Sequence, residues 1–135
     1  MYTGAYIQPG QSVEIEADPA YTIWSGVWFT GQNGPIGWDR CDSSTKFPLT
    51  SYLVNTKTGT CSRPYSLIGR LNGRYFYIGS PRILMYDWGS TPARLYLRIN
   101  DDAVNNGSGY FRDGVTVYQG SQDYYIGPDQ RVCPI

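Results

Sequence analysis

Histidine is missing from all 135 residues, and with it the side chain most often used as a general base near neutral pH. Lysine is scarce, with only Lys46 and Lys57, and the 11 basic and 11 acidic residues cancel to a formal net charge of zero. The arginines are spread along the chain without clustering. Nothing in this balance would hold a phosphate backbone or an anionic bilayer, so nucleic acid and membrane partners are set aside. No apolar run is long enough to span a bilayer. Met1 to Ile7 has neither a basic start nor an apolar centre, so no leader peptide is read there. Nucleophile elbow, P-loop and dinucleotide fingerprint are all missing. The two glutamates, Glu14 and Glu16, fall on the polar face of one strand, and no spacing singles out a carboxylate pair among Asp39, Asp42, Asp87 and Asp101. A non-catalytic protein is expected.

Cysteine is sparse and odd in number: Cys41, Cys61 and Cys133. Their spacing fits neither a zinc site nor a redox motif. A Cys41–Cys61 bridge would close a loop of about 20 residues and add roughly 3 kcal/mol by restricting the unfolded chain. Cys133 is an alternative partner for either, and three free thiols are equally compatible with the sequence. With an odd count, one cysteine stays free or pairs between chains.

Aromatic residues are plentiful at 16%, led by 13 Tyr, and they come with 16 Gly and 9 Pro. Strand-favouring rings punctuated by turn residues predict an all-β domain. No segment carries an apolar stripe of helical period. Gln8 to Gln11 reads as a turn, followed by a strand from Ser12 to Ala17 with Val13, Ile15 and Ala17 inward. Thr22 to Phe29 reads as a second strand, in which Trp24 and Trp28 share a face and pack into the protein. Gly31 to Thr60 has no period, and excursions of that length usually carry function or disorder. Ser66–Leu71 and Arg74–Ile78 flank Asn72-Gly73, a hairpin signal. Arg82–Tyr86, Leu95–Ile99 and Gly114–Tyr118 complete about eight short strands, and residues 119–135 read as a tail. One β-sandwich over residues 1–135 accommodates this pattern.

The stretch Leu95-Tyr-Leu-Arg-Ile-Asn-Asp-Asp102 is an amphipathic strand running into Asn105-Asn-Gly-Ser-Gly-Tyr110. Asp101, Asp102, Asn105 and Asn106 crowd hard oxygens onto one loop, the donor type that Ca²⁺ takes. Turn chemistry accounts for the same residues, and Asn106-Gly-Ser108 also reads as an N-glycosylation acceptor, which would exclude a metal there. Trp38 and Trp88 fall in loops and are candidate stacking platforms for a sugar ring.

Several blocks, in order, resemble the PA-IL-type bacterial galactose-binding lectin family: Ile7 to Ala17, Trp24-Ser-Gly26, Gly34-Pro-Ile-Gly37, Ser66 to Gly73, Phe76-Tyr-Ile-Gly79, Leu95 to Asp101 and Asn105 to Tyr110. The likeness spans about residues 5–118 in scattered pieces, the Leu95–Asp101 block being the strongest. It implies a galactose-binding-domain-like β-sandwich of jelly-roll type, in which one Ca²⁺ bridges protein and sugar. Carried over by position, Asp101 matches the acidic ligand, and Asn106, with Asn105 or Gly107 beside it according to where the gap is placed, matches the paired amide ligands. Main-chain oxygens come from Trp24 or Ser25 and from Val104. Asp101, Asp102, Asn106, Asp42 and Trp38 are then the expected carbohydrate contacts. The chain departs from the family in a shorter loop between Asp101 and Asn105, in lacking histidine, and in a longer 31–60 block. The segment Cys41–Ser51, where the galactose lectin holds the exocyclic hydroxyl, offers Asp42, Ser43, Ser44, Lys46 and Thr50 instead.

The expectation is a Ca²⁺-dependent, lectin-like module for a galactoside or other glycan, placed outside the cell or on its surface and oligomeric for avidity. Its rival is an assembly subunit of a surface filament, phage particle or larger secreted protein that keeps the fold without the sugar.

Overall fold

A computed structural model describes residues 1–38, 46–49, 53–55, 59–60, 63–102, 107–119, 123–126 and 130–131. Regular structure among them is entirely β, with no helix. The first half contains β1 (Tyr2–Ile7), β2 (Ser12–Ala17), β3 (Ile23–Trp24), β4 (Gln32–Asn33), β5 (Leu53–Asn55), β6 (Gly59–Thr60) and β7 (Leu67–Leu71). The second half contains β8 (Arg74–Tyr77), β9 (Arg82–Met85), β10 (Ala93–Ile99), β11 (Ser108–Gly109), β12 (Arg112–Gln119), β13 (Asp123–Ile126) and β14 (Gln130–Arg131). Eight of these span four residues or more, and every paired strand is antiparallel.

Two sheets carry the molecule. One runs β1-β10-β7-β8; the other runs β13-β12-β2-β9, with β14 also paired to β12. Alternation decides which residues meet between them. Ala5, Ile7, Leu67, Leu71, Phe76, Leu95, Leu97 and Ile99 of the first join Val13, Ile15, Ala17, Val115 and Val117 of the second in one apolar cluster. A fully buried side chain such as Leu95 or Leu97 contributes about 1.5–3 kcal/mol by leaving water. The arrangement is all-β and sandwich-like.

The β7–β8 hairpin turns on Asn72 and Gly73, both with positive φ (47° and 76°), as a two-residue hairpin turn requires. Gly69 lies opposite Phe76 on the inner face, where an added Cβ would sit 2.5 Å from the ring. Phe76 therefore packs over Gly69.

Two readings of the sequence need correction. The strand expected over residues 22–29 shrinks to Ile23–Trp24. Gly26 takes φ 92°, and a turn closes where Thr30 bonds the Val27 carbonyl through N–H (3.1 Å) and Oγ1 (2.8 Å). Trp28 is consequently 86% exposed and Trp24 36%, and the two do not share a packed face. The tail after Gln119 returns as β13 and β14, both paired to β12. Tyr2–Ile7, unassigned from the sequence, forms β1 on the edge of the first sheet.

Candidate functional site

Three segments far apart in sequence meet around the end of β10. Asn100 is fully buried there and holds them. Its Nδ2 donates to the carbonyls of Leu49 and Arg63 (both 3.1 Å), and its Oδ1 accepts from the Leu49 N–H (3.0 Å). The described part of the 41–51 stretch is thereby fixed beside Asp101 and Asp102.

Asp101 is 4% exposed. Its N–H donates to the Ile99 carbonyl (2.9 Å), while Arg98 Nη2 donates to its main-chain oxygen (3.2 Å). Asp102 is exposed and faces Lys46, with Nζ 3.8 Å from Oδ2. Between exposed groups such an ion pair contributes well under about 1 kcal/mol and serves mainly to orient the lysine.

Trp24 pairs with β11, the strand that follows the oxygen-rich stretch in sequence, and Ser25 comes next to it in the chain. β3 is the middle strand of a small sheet, with Ser108 opposite Trp24 on one side and Gln32 opposite it on the other. Gly109, at φ 94°, is what lets β11 close on β3: an added Cβ would stand 2.6 Å from the Thr22 carbonyl oxygen. Ser25 is fully buried, its Oγ 2.7 Å from Thr30 Oγ1 and accepting from the Val27 N–H at 3.2 Å. That hydroxyl is committed to the turn.

The described donors here are the Asp101 and Asp102 carboxylates and main-chain oxygens, all hard, which suits Ca²⁺ by chemistry. Among the described residues no three of His, Cys, Asp and Glu gather as ligands, so Asp101 and Asp102 would need amide and carbonyl oxygens to complete a shell.

A cleft of about 650 Å³ is lined by Phe29, Thr30, Gln32, Asn33, Gly34, Gly37 and Trp38. None of these is ionisable. Phe29 and Trp38 stand 5.8 Å apart at 52°, and a chain of rings continues from Trp38 through Tyr65 (6.4 Å) to Phe47 (6.2 Å). Lys46 Nζ sits 5.1 Å from the Phe47 centroid, so the rings lead from the cleft to the Asp102 ion pair. Gln32 is exposed and accepts from Thr22 Oγ1 at 3.0 Å. Asn33 is buried and fixed to the carbonyls of Thr30 (3.2 Å) and Gly31 (3.3 Å).

Of the residues singled out from the sequence, Trp38 lines the cleft, Asp101 and Asp102 lie at the end of β10, and Trp24 and Ser25 lie beside β11. Asp42, Val104, Asn105 and Asn106, and the cysteines Cys41, Cys61 and Cys133, fall outside the described residues. Trp88 is a packing residue. Its Nε1 donates to the Leu71 carbonyl (2.8 Å), and its ring meets Tyr86 and Phe76. Phe29, Thr30, Gln32 and Asn33 had not been foreseen; their signal was polar and aromatic residues crowded on either side of Gly31 and just before Gly34.

Asp113 was also missed. It points inward from β12, is 2% exposed, and neither carboxylate oxygen has a hydrogen-bond partner among the described residues. Burial raises its pKa from 3.8 to about 7.

The chain matches no family model, no curated protein and no solved structure.

Proposed function

We propose that this protein is a non-catalytic carbohydrate-binding module that works with Ca²⁺ on a galactose-binding-like, jelly-roll-type sandwich. The observation that carries the reading is the cleft whose described lining combines the Phe29 and Trp38 rings with the Gln32 and Asn33 carboxamides and the Thr30 hydroxyl. A neutral pyranose presents an apolar C–H face to stack on rings and hydroxyls to exchange bonds with amides. Phe29 and Trp38 would take the face of the sugar, and Gln32 would hydrogen-bond its edge. Asp101, Asn105 and Asn106, with the main-chain oxygens at Trp24–Ser25 and Val104, would hold the ion. A bound Ca²⁺ supplies open coordination positions for two vicinal hydroxyls. Asp102 and Asp42 would add contacts that select among sugars. The partner is a galactoside or another neutral glycan met outside the cell, on or near its surface.

A glycan array probed with and without EDTA tests this, alongside calorimetric Ca²⁺ titration. The expected outcome is chelator-sensitive binding of neutral glycans, abolished by Asp101→Ala and weakened at least about tenfold by Trp38→Ala. No Ca²⁺ uptake and no glycan retained by the unmutated protein would overturn the reading.

A second reading, an assembly subunit, is favoured by the apolar side chains on β9: Ile83 is 60% exposed and Met85 54%.

A further inference from the structure

The outer faces of the two sheets carry patches of opposite charge. On the first sheet the register sets Tyr2, Tyr96, Arg70 and Tyr75 in one row across all four strands. Arg94 lies two residues from Tyr96 on β10, its Cζ 5.4 Å from the Tyr2 ring, and Arg70 Cζ lies 4.9 Å from the Tyr96 ring. Tyr2 and Tyr96 pack at 5.5 Å. Among the described residues this outward face holds no carboxylate, and neither Arg70 nor Arg94 has one within salt-bridge distance. Stacked on tyrosine, the guanidinium groups are held in place and keep their edges for an anion.

On the second sheet the carboxylates cluster on β2. Glu14 and Glu16 point outward from β2, neither paired with a cation among the described residues. Beside them β9 exposes Ile83 and Met85. Arg112, at the far end of β12, and Arg131, its register partner on β14, are the cations placed on this outward side, beyond the Glu16 end of β2. Each face thus has large apolar or aromatic groups on an edge strand (Tyr2 and Tyr6 on β1, Ile83 and Met85 on β9) next to a charged inner strand. The spacings also match. Strand geometry puts Glu14 and Glu16 about 7 Å apart and Arg70 and Arg94 about 8 Å apart.

We propose that the arginine–tyrosine face docks onto the glutamate face of a second copy of this chain. Charge complementarity within one sequence selects that occupant, and zero net charge means that copies do not repel at long range. The two patches differ, so the contact is head-to-tail and repeats into a stack, or a ring if the rotation closes. A face of this size projects only about 400 Å², which makes each contact weak and salt-sensitive.

Sedimentation of the full chain over a concentration series, at about 20 mM and about 500 mM salt, tests it. Association beyond the dimer is expected at low salt and is lost at high salt. Arg70→Glu/Arg94→Glu makes both faces acidic, and Glu14→Lys/Glu16→Lys makes both basic, so neither double variant assembles alone. Mixed in equal amounts they assemble again, because each acidic face then meets a basic one. Circular dichroism identical to the unmutated chain shows that both variants fold. A monomer at every concentration, or assembly untouched by both reversals, overturns the proposal. So does a monomer retained on a heparin column and released by Arg70→Glu/Arg94→Glu, which would assign the face to an anionic polymer.

Discussion

Asp113 occupies a position that alternation reserves for an apolar side chain, in line with Phe111, Val115 and Val117 on the buried side of the β12 segment. Ala17 of β2 and Gln130 of β14 flank it in register. With no hydrogen bond from a described residue to compensate, ionisation there is opposed by lost hydration, and the carboxyl holds its proton to about pH 7. The unfolded chain releases that proton near 3.8. Below pH 4 both states are protonated and the group exerts no pH effect. Between about pH 4 and pH 7 the folded state binds more protons than the unfolded one, so stability falls as pH rises, then levels off. The full loss is on the order of 4 kcal/mol, a large share of what a small domain has. Asp113→Asn keeps the shape and removes the ionisation. It is expected to flatten the stability curve over pH 4–7 and to gain about 2 kcal/mol or more at pH 8, read from urea midpoints. An unmutated chain equally stable at pH 4.5 and pH 8 would refute this account.

At the level of strands, Gly69 sets how closely β7 and β8 pack. Its hydrogen faces the Phe76 ring, and an added methyl would lie 2.5–2.6 Å from ring carbons and 3.2 Å from Ile78 Cδ1. Phe76 is buried and has no outward route that keeps the hairpin paired. Gly69→Ala is expected to lose about 1–3 kcal/mol by overpacking, with an unchanged m-value, in guanidinium melts. Elements whose information was local were legible. The inward set of β10, the Asn72-Gly73 turn and the inward triad of β2 follow from period-two alternation and turn chemistry. Elements fixed by distant contacts were not. Residues 22–29 carry strand-forming types, yet the Ser25–Thr30 hydroxyl pair and the positive φ of Gly26 turn the chain after two residues. β13 exists because β12 presents a free ladder edge to it, a fact about residues 112–119 as much as about 123–126. The candidate site divides the same way. Asp101 at a strand end and Trp38 in a loop could be read in sequence, whereas Phe29 and Gln32 enter the cleft only through the β3–β4 pairing.

Across the whole molecule, β10 joins the core to the candidate ion site. Leu95 and Leu97 anchor it between the sheets, Asn100 ties its end to residues 49 and 63, and Asp101 follows directly. A ligand held at that end draws on the same strand that organises the first sheet, so binding and global stability are linked. If Ca²⁺ binds the folded chain alone, a concentration one hundredfold above its Kd adds about 2.7 kcal/mol. For a chain of this length that is roughly a 10 °C rise in Tm. Calcium is therefore expected to raise Tm in proportion to the logarithm of its concentration, EDTA to reverse the rise, and Asp101→Ala to abolish it. Magnesium is the informative control, because its short, rigid octahedral shell is poorly served by a loop of amide and main-chain oxygens. Equal shifts with Mg²⁺ and Ca²⁺, unaffected by Asp101→Ala, would point to screening of surface charge and leave the cleft as a sugar site without an ion.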